Sequence, residues 1–275
     1  LIVVNLYPFE ATIARAGVTL AEAIEQIDIG GPSLVRAAAK NHAFVAIVTN
    51  PEQYSAVLDD VSRLGSVSDE LRRRLAAEAF ACTAAYDRAI ADYFAGSLTQ
   101  GPFPPTLNLT LRCKEELRYG ENPHQAAAVY REVGARGPSL VTARQLNGKE
   151  LSYNNLLDLD SALVIARSFV QPAAAVIKHN NPCGAATAET LADATQKAMD
   201  GDPVSAFGSV LGFNRTVDVA TAEVLSAPGL FVEAIVAPDF EAAAVGVLTT
   251  KPKWKKNVRL MQVGRLDEPP SRRHY

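Results

Sequence analysis

The 275-residue sequence sets 27 lysines and arginines against 30 aspartates and glutamates, a formal net charge of -3, so the basic excess of a nucleic-acid footprint is missing. Hydrophobic residues make up 48% and charged residues 21%, values of a soluble globular protein. No apolar run approaches a membrane span and no secretory signal pattern is present, which reads as a cytosolic protein. Cys82, Cys113 and Cys183 are odd in number and widely spaced, so neither a disulfide frame nor a zinc cage is indicated. The length suits one large domain or two ordinary ones.

Leu1 to Val4 reads as a buried strand broken at Pro8, with Tyr7 near its carboxyl end. The strand opens without an initiator Met or a preceding cap, so a natural protein cut at the front is expected. Thr19-Leu20-Ala21-Glu22 is a capping box for a short helix ending near Asp28. Pro32, after two glycines, suits the first turn of a helix from Ser33 to about Asn41, whose free amides would face an anion and whose far end carries Lys40. Phe44 to Val48 is predicted as the next buried strand, and Asn50-Pro51 as the start of another helix. This alternation argues for a parallel sheet. A long helix from Ser68 to Phe94 follows, with Leu71, Leu75, Ala79, Cys82, Tyr86, Ile90 and Tyr93 on one stripe.

Gly96 to Pro105, rich in Gly and Pro, is the predicted domain boundary. Leu107, Leu109 and Leu111 alternate with polar residues as in a half-buried strand. Arg118-Tyr119-Gly120-Glu121-Asn122-Pro123-His124-Gln125 is a turn-rich loop that reads equally as an anion-binding loop or a solvated one. Asn147-Gly148 carries a hairpin signal, and a helix is predicted from about Asn155 to Phe169.

Ala173 to Ile177 has the composition of a strand buried on both faces. Pro182 and Gly184 are expected to stop its ladder, and Thr190 to Asp193 to cap a helix with Leu191, Ala194, Ala198 and Met199 on one face. The pattern is strand, polar loop, helix. In open α/β sheets such a loop, at the carboxyl end of a strand, is where ligands bind. Here it holds Lys178, His179, Asn180, Asn181 and Cys183. The same run also reads as a solvated turn with an inert thiol.

Asp202 to Gly208 is a second polar loop, leading into a strand from Ser209 to Phe213. Phe231 to Pro238 is an apolar strand containing Glu233. A carboxylate buried there unpaired would cost several kcal/mol, so it should meet a cation, a donor or a cavity, as a structural pair or as part of a site. Lys251 to Lys256 reads as a solvated surface segment, and Pro269 to Tyr275 as linker.

Several stretches, in this order, resemble one family: Asn5 to Phe9, Glu25 to Gly31, Arg36 to Asn41, Leu117 to Gln125, Lys178 to Gly184 and Ser205 to Gly208. The family is the bifunctional purine-biosynthesis enzyme, AICAR transformylase joined to IMP cyclohydrolase. The resemblance implies an α/β protein: residues 1–100 as the C-terminal part of a methylglyoxal-synthase-like cyclohydrolase domain, then residues 106–275 as the first part of a cytidine-deaminase-like transformylase domain without its metal. It also implies formyl transfer from 10-formyltetrahydrofolate to AICAR, giving FAICAR, and closure of FAICAR to IMP with loss of water. By the same resemblance the chemistry is expected to need no metal.

By the same resemblance Lys178 acts in proton transfer and His179 contacts the AICAR amine and carboxamide. Arg118 and Tyr119 hold the nucleotide phosphate, and Phe207 and Gly208 line the nucleotide pocket. Glu233 falls where an acidic residue lines the site, and Asn180 is placed with the substrate-binding set. Tyr7 and Asp28 serve ring closure in acid-base and orienting roles, with Lys40 as a polar stabiliser. The resemblance further implies a homodimer with the transformylase site at the subunit interface. The family's phosphate-binding stretch and a catalytic Lys lie ahead of Leu1, and its second transformylase half lies beyond Tyr275, so only part of each site is expected here. Two other readings are a non-catalytic nucleotide-binding module of the same fold and a zinc nucleoside deaminase. The latter is suggested by His179 with Pro182-Cys183 but lacks the paired Cys-x-x-Cys and His-x-Glu.

Overall fold

The computed structural model describes residues 1–98, 106, 108–133, 135 and 137–267. Gly101, Pro102, Pro104 and Pro105 of the predicted boundary, Leu107, and the tail from Pro269 lie outside the described residues. The chain separates into two compact units, Leu1–Asn108 and Leu109–Tyr275.

In the first unit β1 (Ile2–Val3) pairs in parallel with β2 (Ile47–Val48), Ile2 opposite Ile47. Between them run α1 (Phe9–Ile13), α2 (Leu20–Glu25) and α3 (Gly30–Lys40). A 3-10 turn (Pro51–Gln53), α4 (Tyr54–Leu64) and α5 (Asp69–Leu98) follow. The local signals act as their chemistry dictates: the Thr19 side chain accepts the Glu22 amide while Glu22 returns to the Thr19 amide, and Asn50 caps the turn with Pro51 behind it. Val35, Ala38 and Ala39 of α3 pack with Ile47, Ala76 and Ala79, and Val48 packs with Val57, Leu71 and Leu75. Each such Val or Leu contributes about 1.5–3 kcal/mol on burial.

Two expectations fail here. The strand predicted over Phe44 to Val48 shrinks to its last two residues, because the Asn41 carbonyl accepts the amides of both Phe44 and Val45 and turns the chain, leaving Phe44 86% exposed. β1 buries only alternate residues, with Leu1 and Val3 exposed. The α5 stripe is as expected at Leu71, Leu75, Ala79 and Tyr86, while Cys82, read as core, is half-buried, with burial pushing its thiol up.

The second unit opens with a two-stranded antiparallel ribbon, β3 (Leu111–Glu116) and β4 (Ala128–Glu132). The half-buried strand expected from Leu107 is thus displaced towards Glu116, and β3 is exposed along its whole length. Then come β5 (Arg144–Asn147), α6 (Tyr153–Arg167), β6 (Ala173–Lys178), β7 (Asn181–Thr187), α7 (Leu191–Asp200), β8 (Ser209–Phe213), α8 (Val219–Leu225), β9 (Val232–Ala237), α9 (Ala242–Thr250) and β10 (Arg259–Gln262). One sheet has the order β5-β10-β9-β8-β6-β7. β8, β9 and β10 are parallel, while β6 runs antiparallel to both its neighbours and β5 to β10, so this sheet is mixed, whereas the parallel pairing predicted for the first unit is the one seen between β1 and β2. Asn147-Gly148 closes no hairpin, because β5 pairs with β10 more than a hundred residues on.

The strands alternate across the sheet. On β9, Ile235 and Ala237 join the layer of α7, α8 and α9, whereas Ala234 and Val236 join Leu159, Ala162 and Leu163 of α6. Both faces are covered, which is why Ala173 to Ile177 are wholly buried. The Lys251 to Lys256 segment is only partly solvated: Trp254 is buried and its Nε1 donates to the Leu230 carbonyl at 3.0 Å. No described helix is long and apolar enough to cross a membrane.

Candidate active site

Lys178 is the last residue of β6, and beyond it the chain doubles back in a hairpin instead of running through the predicted loop into a helix. His179 and Asn180 take left-handed backbone angles, φ 52 and 61, and form a two-residue turn with the dihedral sign of type I′. Asn181 to Thr187 then pair back on β6 as β7. Pro182 does not break the ladder because β7 is the edge strand and the register slips between Val176 and Ile177, so its missing amide proton is not required.

The turn is fastened to α6. The Asn180 amide donates to Asp158 at 2.7 Å, and the Ser161 hydroxyl donates to the Asn180 side-chain oxygen. The same helix holds the Arg118 loop: Asn154 Nδ2 donates to the Glu121 carbonyl at 3.0 Å and the Tyr153 amide to the Tyr119 carbonyl at 3.3 Å. Asn154, Asp158 and Ser161 fall at i, i+4 and i+7, one helical face. With a rise of 1.5 Å per residue, the anchors of the two loops lie about 6–10 Å apart along the axis. The helix itself is fixed by a reciprocal cap between Ser152 and Asn155.

Within the Arg118 loop the guanidinium lies 4.7 Å from the centre of the Tyr119 ring and donates to the Tyr119 hydroxyl at 3.0 Å. Gly120, Glu121, Gln125 and Tyr153 border an open cavity of about 470 Å³ beside it. Lys178 is half-buried and its Nζ donates to the Phe207 carbonyl at 2.9 Å. The Phe207 ring, 55% exposed, sits 5.6 Å from that of Phe231. Phe207, Phe231 and Trp254 are among the walls of a second cavity of about 660 Å³. The structure therefore joins Lys178 to Phe207 directly, and brings Asn180 and the Arg118 loop to one helix. His179 lies exposed in the turn.

Glu233 is only half-buried, its side chain 33% exposed, and meets a cation. Arg259 pairs with it at 2.6 Å, and this arginine, its side chain 2% exposed, also donates twice to the Glu150 carbonyl. Sequence reasoning missed Arg259, and also Asn154, Asp158 and Ser161. The last three left a signal, a polar stripe at helical spacing in a helix otherwise rich in Leu and Ala.

In the first unit Asp28 gathers the predicted ring-closure residues only in part. Its carboxylate accepts the Tyr7 amide at 3.4 Å and the Gly31 amide at 2.7 Å, while its own amide donates to the Tyr86 hydroxyl at 2.8 Å. Tyr86 in turn donates to the Gln26 carbonyl at 2.9 Å, and burial pushes its phenol up. The amide at the start of α3 expected to face an anion is thus engaged by Asp28 itself. Lys40 is exposed nine residues on from Gly31, about 14 Å along the helix, and is not brought to Asp28.

Among the described residues no three His, Cys, Asp or Glu side chains gather in a metal-holding group. A family model described as AICARFT/IMPCHase bienzyme matches residues 38–275. The chain is 70% identical over 98% of its length to a bifunctional purine biosynthesis protein PurH of Rhodopirellula baltica, covering 51% of that protein. It is 52% and 51% identical to proteins of the same name from Sorangium cellulosum and Desulfitobacterium hafniense, over 97% and 98% of its length and 52% of each of theirs. It spans about half the length of the curated relatives it matches. The chain belongs to the AICARFT/IMPCHase bienzyme family.

Proposed function

We propose that this chain carries part of two sites of de novo purine biosynthesis. One transfers a formyl group from 10-formyltetrahydrofolate to the amine of AICAR, and the other closes the resulting FAICAR to IMP with loss of water. In this reading residues 1–100 are the methylglyoxal-synthase-like cyclohydrolase portion and residues 106–275 the cytidine-deaminase-like transformylase portion of a cytosolic homodimeric enzyme. The observation that carries it is the α6 face, which fixes the Lys178 hairpin and the Arg118 loop to one rigid element.

Formyl transfer needs a proton removed from a weak amine nucleophile, charge stabilised on the formyl oxygen and a proton delivered to the departing folate nitrogen. Lys178 suits the proton work: one ammonium proton is held by the Phe207 carbonyl, and the remaining ones are free for a ligand. His179 and Asn180 offer an imidazole and an amide to the AICAR amine and carboxamide. Arg118, stacked on Tyr119, presents a guanidinium fork to the phosphate. Phe207 offers a ring face, and Glu233, secured by Arg259, an acidic wall. For ring closure Asp28 and Tyr7 form the acid-base pair, with Lys40 as an outlying cation.

The test is Lys178→Ala in a full-length bienzyme bearing this sequence. Formyl-transfer kcat is expected to fall by about 10²–10⁴, the usual contribution of a positioned proton-transfer group, with ring closure unchanged. Formyl transfer within a few-fold of the parent would remove Lys178 from the mechanism.

A further inference from the structure

Lys178 reaches into the loop between α7 and β8, and that loop contains a carboxylate to which the proposed formyl transfer assigns no role. The Asp202 side chain accepts the Ser205 amide at 3.0 Å and the Ser205 hydroxyl at 2.6 Å, while its carbonyl accepts the Ala206 amide at 2.9 Å. One tight turn results, and it presents the Phe207 carbonyl to Lys178. Gly208 then leaves the turn at φ +75, with its amide donating to the Phe231 carbonyl at 2.7 Å. A side chain there would adopt a strained backbone and stand 3.2 Å from the Phe231 ring, so the turn has little freedom.

The hydrogen bonds from Ser205 hold the Asp202 carboxyl below the usual carboxylate range, and Lys178 adds to the effect, so Asp202 is an anion at neutral pH. The Cys183 thiol on β7 feels both groups, but burial pushes it up and it donates to the Val176 carbonyl. Asp158 is engaged by the Asn180 amide, and His179 is the next residue in the turn. Asp202 thus acts on Lys178 through the turn it pins, which presents the Phe207 carbonyl to the ammonium.

We propose that Asp202 is a positioning residue for Lys178: its carboxylate, pinned by Ser205, fixes the turn whose Phe207 carbonyl holds the ammonium in one place. This rests on the formyl-transfer reading of the site. A lysine side chain has many rotamers in water, and a fixed acceptor selects among them before a ligand arrives.

The experiment uses the full-length bienzyme bearing this sequence. Asp202→Asn removes the charge and keeps an acceptor for Ser205. Formyl-transfer kcat is expected to fall about tenfold with nucleotide KM within about twofold, and ring closure is unaffected. The fall in kcat should appear at an unchanged thermal midpoint, which a purely structural role would lower. Asp202→Glu should recover part of the rate. Should Asp202→Asn fail to fold, as judged by its thermal midpoint, Ser205→Ala takes its place: it keeps the charge but frees it, and a lowered kcat is expected. The parent kcat in Asp202→Asn, or in Ser205→Ala where that is the variant read, would overturn the proposal. If Lys178→Ala is silent, the site reading itself fails; if Lys178→Ala is crippled while Asp202→Asn is silent, only the positioning role fails.

Discussion

At the scale of single residues, the turn of the β6–β7 hairpin carries a conformational cost in the candidate site. A left-handed backbone costs an L-residue about 1–2 kcal/mol; Asn180 is held there by Asp158 and Ser161, whereas the His179 side chain stands exposed in the turn. Strain of this kind persists where the strained side chain is needed. His179→Gly relieves it, and after allowing for glycine's greater freedom in the unfolded chain the variant should be more stable by about 0.5–1 kcal/mol while formyl transfer falls. Urea unfolding beside a rate assay checks both signs, and a loss of stability would show that the imidazole is structural. Glu233 marks how far a single residue can be read from sequence. That a carboxylate in an apolar strand must find a cation, a donor or a cavity was legible; that it finds the cation Arg259 was not, because the parallel pairing of β9 with β10 is written in neither strand alone.

At the scale of elements, caps were legible because they are local. Thr19 with Glu22, Asn50 with Pro51, and Thr190 with Asp193 each close within three residues. The β6–β7 hairpin was not: its turn lacks glycine, and Pro182 breaks a ladder only where both edges of a strand are paired. The hold of α6 on two loops was hidden for the same reason, since its partners lie 22 and 33 residues away. In the first unit, the junction of α4 with α5 gives a pH-dependent test of element packing. Asp60 accepts the Ser68 amide at 3.0 Å, the Ser68 hydroxyl and Arg63, and the bonds from Ser68 hold its carboxyl below the usual range. Because the folded pKa lies below the unfolded one, the stabilisation is present above about pH 4 and is lost as pH falls through the folded value. Ser68→Ala should therefore be less stable than the parent at neutral pH, and the gap should narrow in acid to the part due to Ser68 capping Leu71. Urea unfolding at pH 7 and pH 3 measures it, and a gap that widened in acid would reverse the assignment.

At the scale of the whole molecule, several of the candidate groups stand on open surface. Phe207 is more than half exposed, Tyr7 is 56% exposed, and His179 and Arg118 are exposed. Charges in contact with water interact at a small fraction of their strength in a closed site, and a transferring proton is exchanged with solvent before it reaches its acceptor. Catalysis of either step therefore needs further protein surface over these side chains, and the relatives that match this chain are about twice its length. The 275-residue chain by itself should turn over neither reaction at more than about 10⁻³ of the full-length rate, the scale of loss when preorganised groups act in water rather than in an enclosed site. Steady-state assays of formyl transfer and of ring closure, run on this chain beside a full-length bienzyme bearing the same sequence, decide it. Turnover by the isolated chain within about tenfold of the full-length protein would mean that the exposed hairpin and the Asp28 cluster are complete sites, and that α6 with the Asp202 turn supplies all the order the chemistry requires.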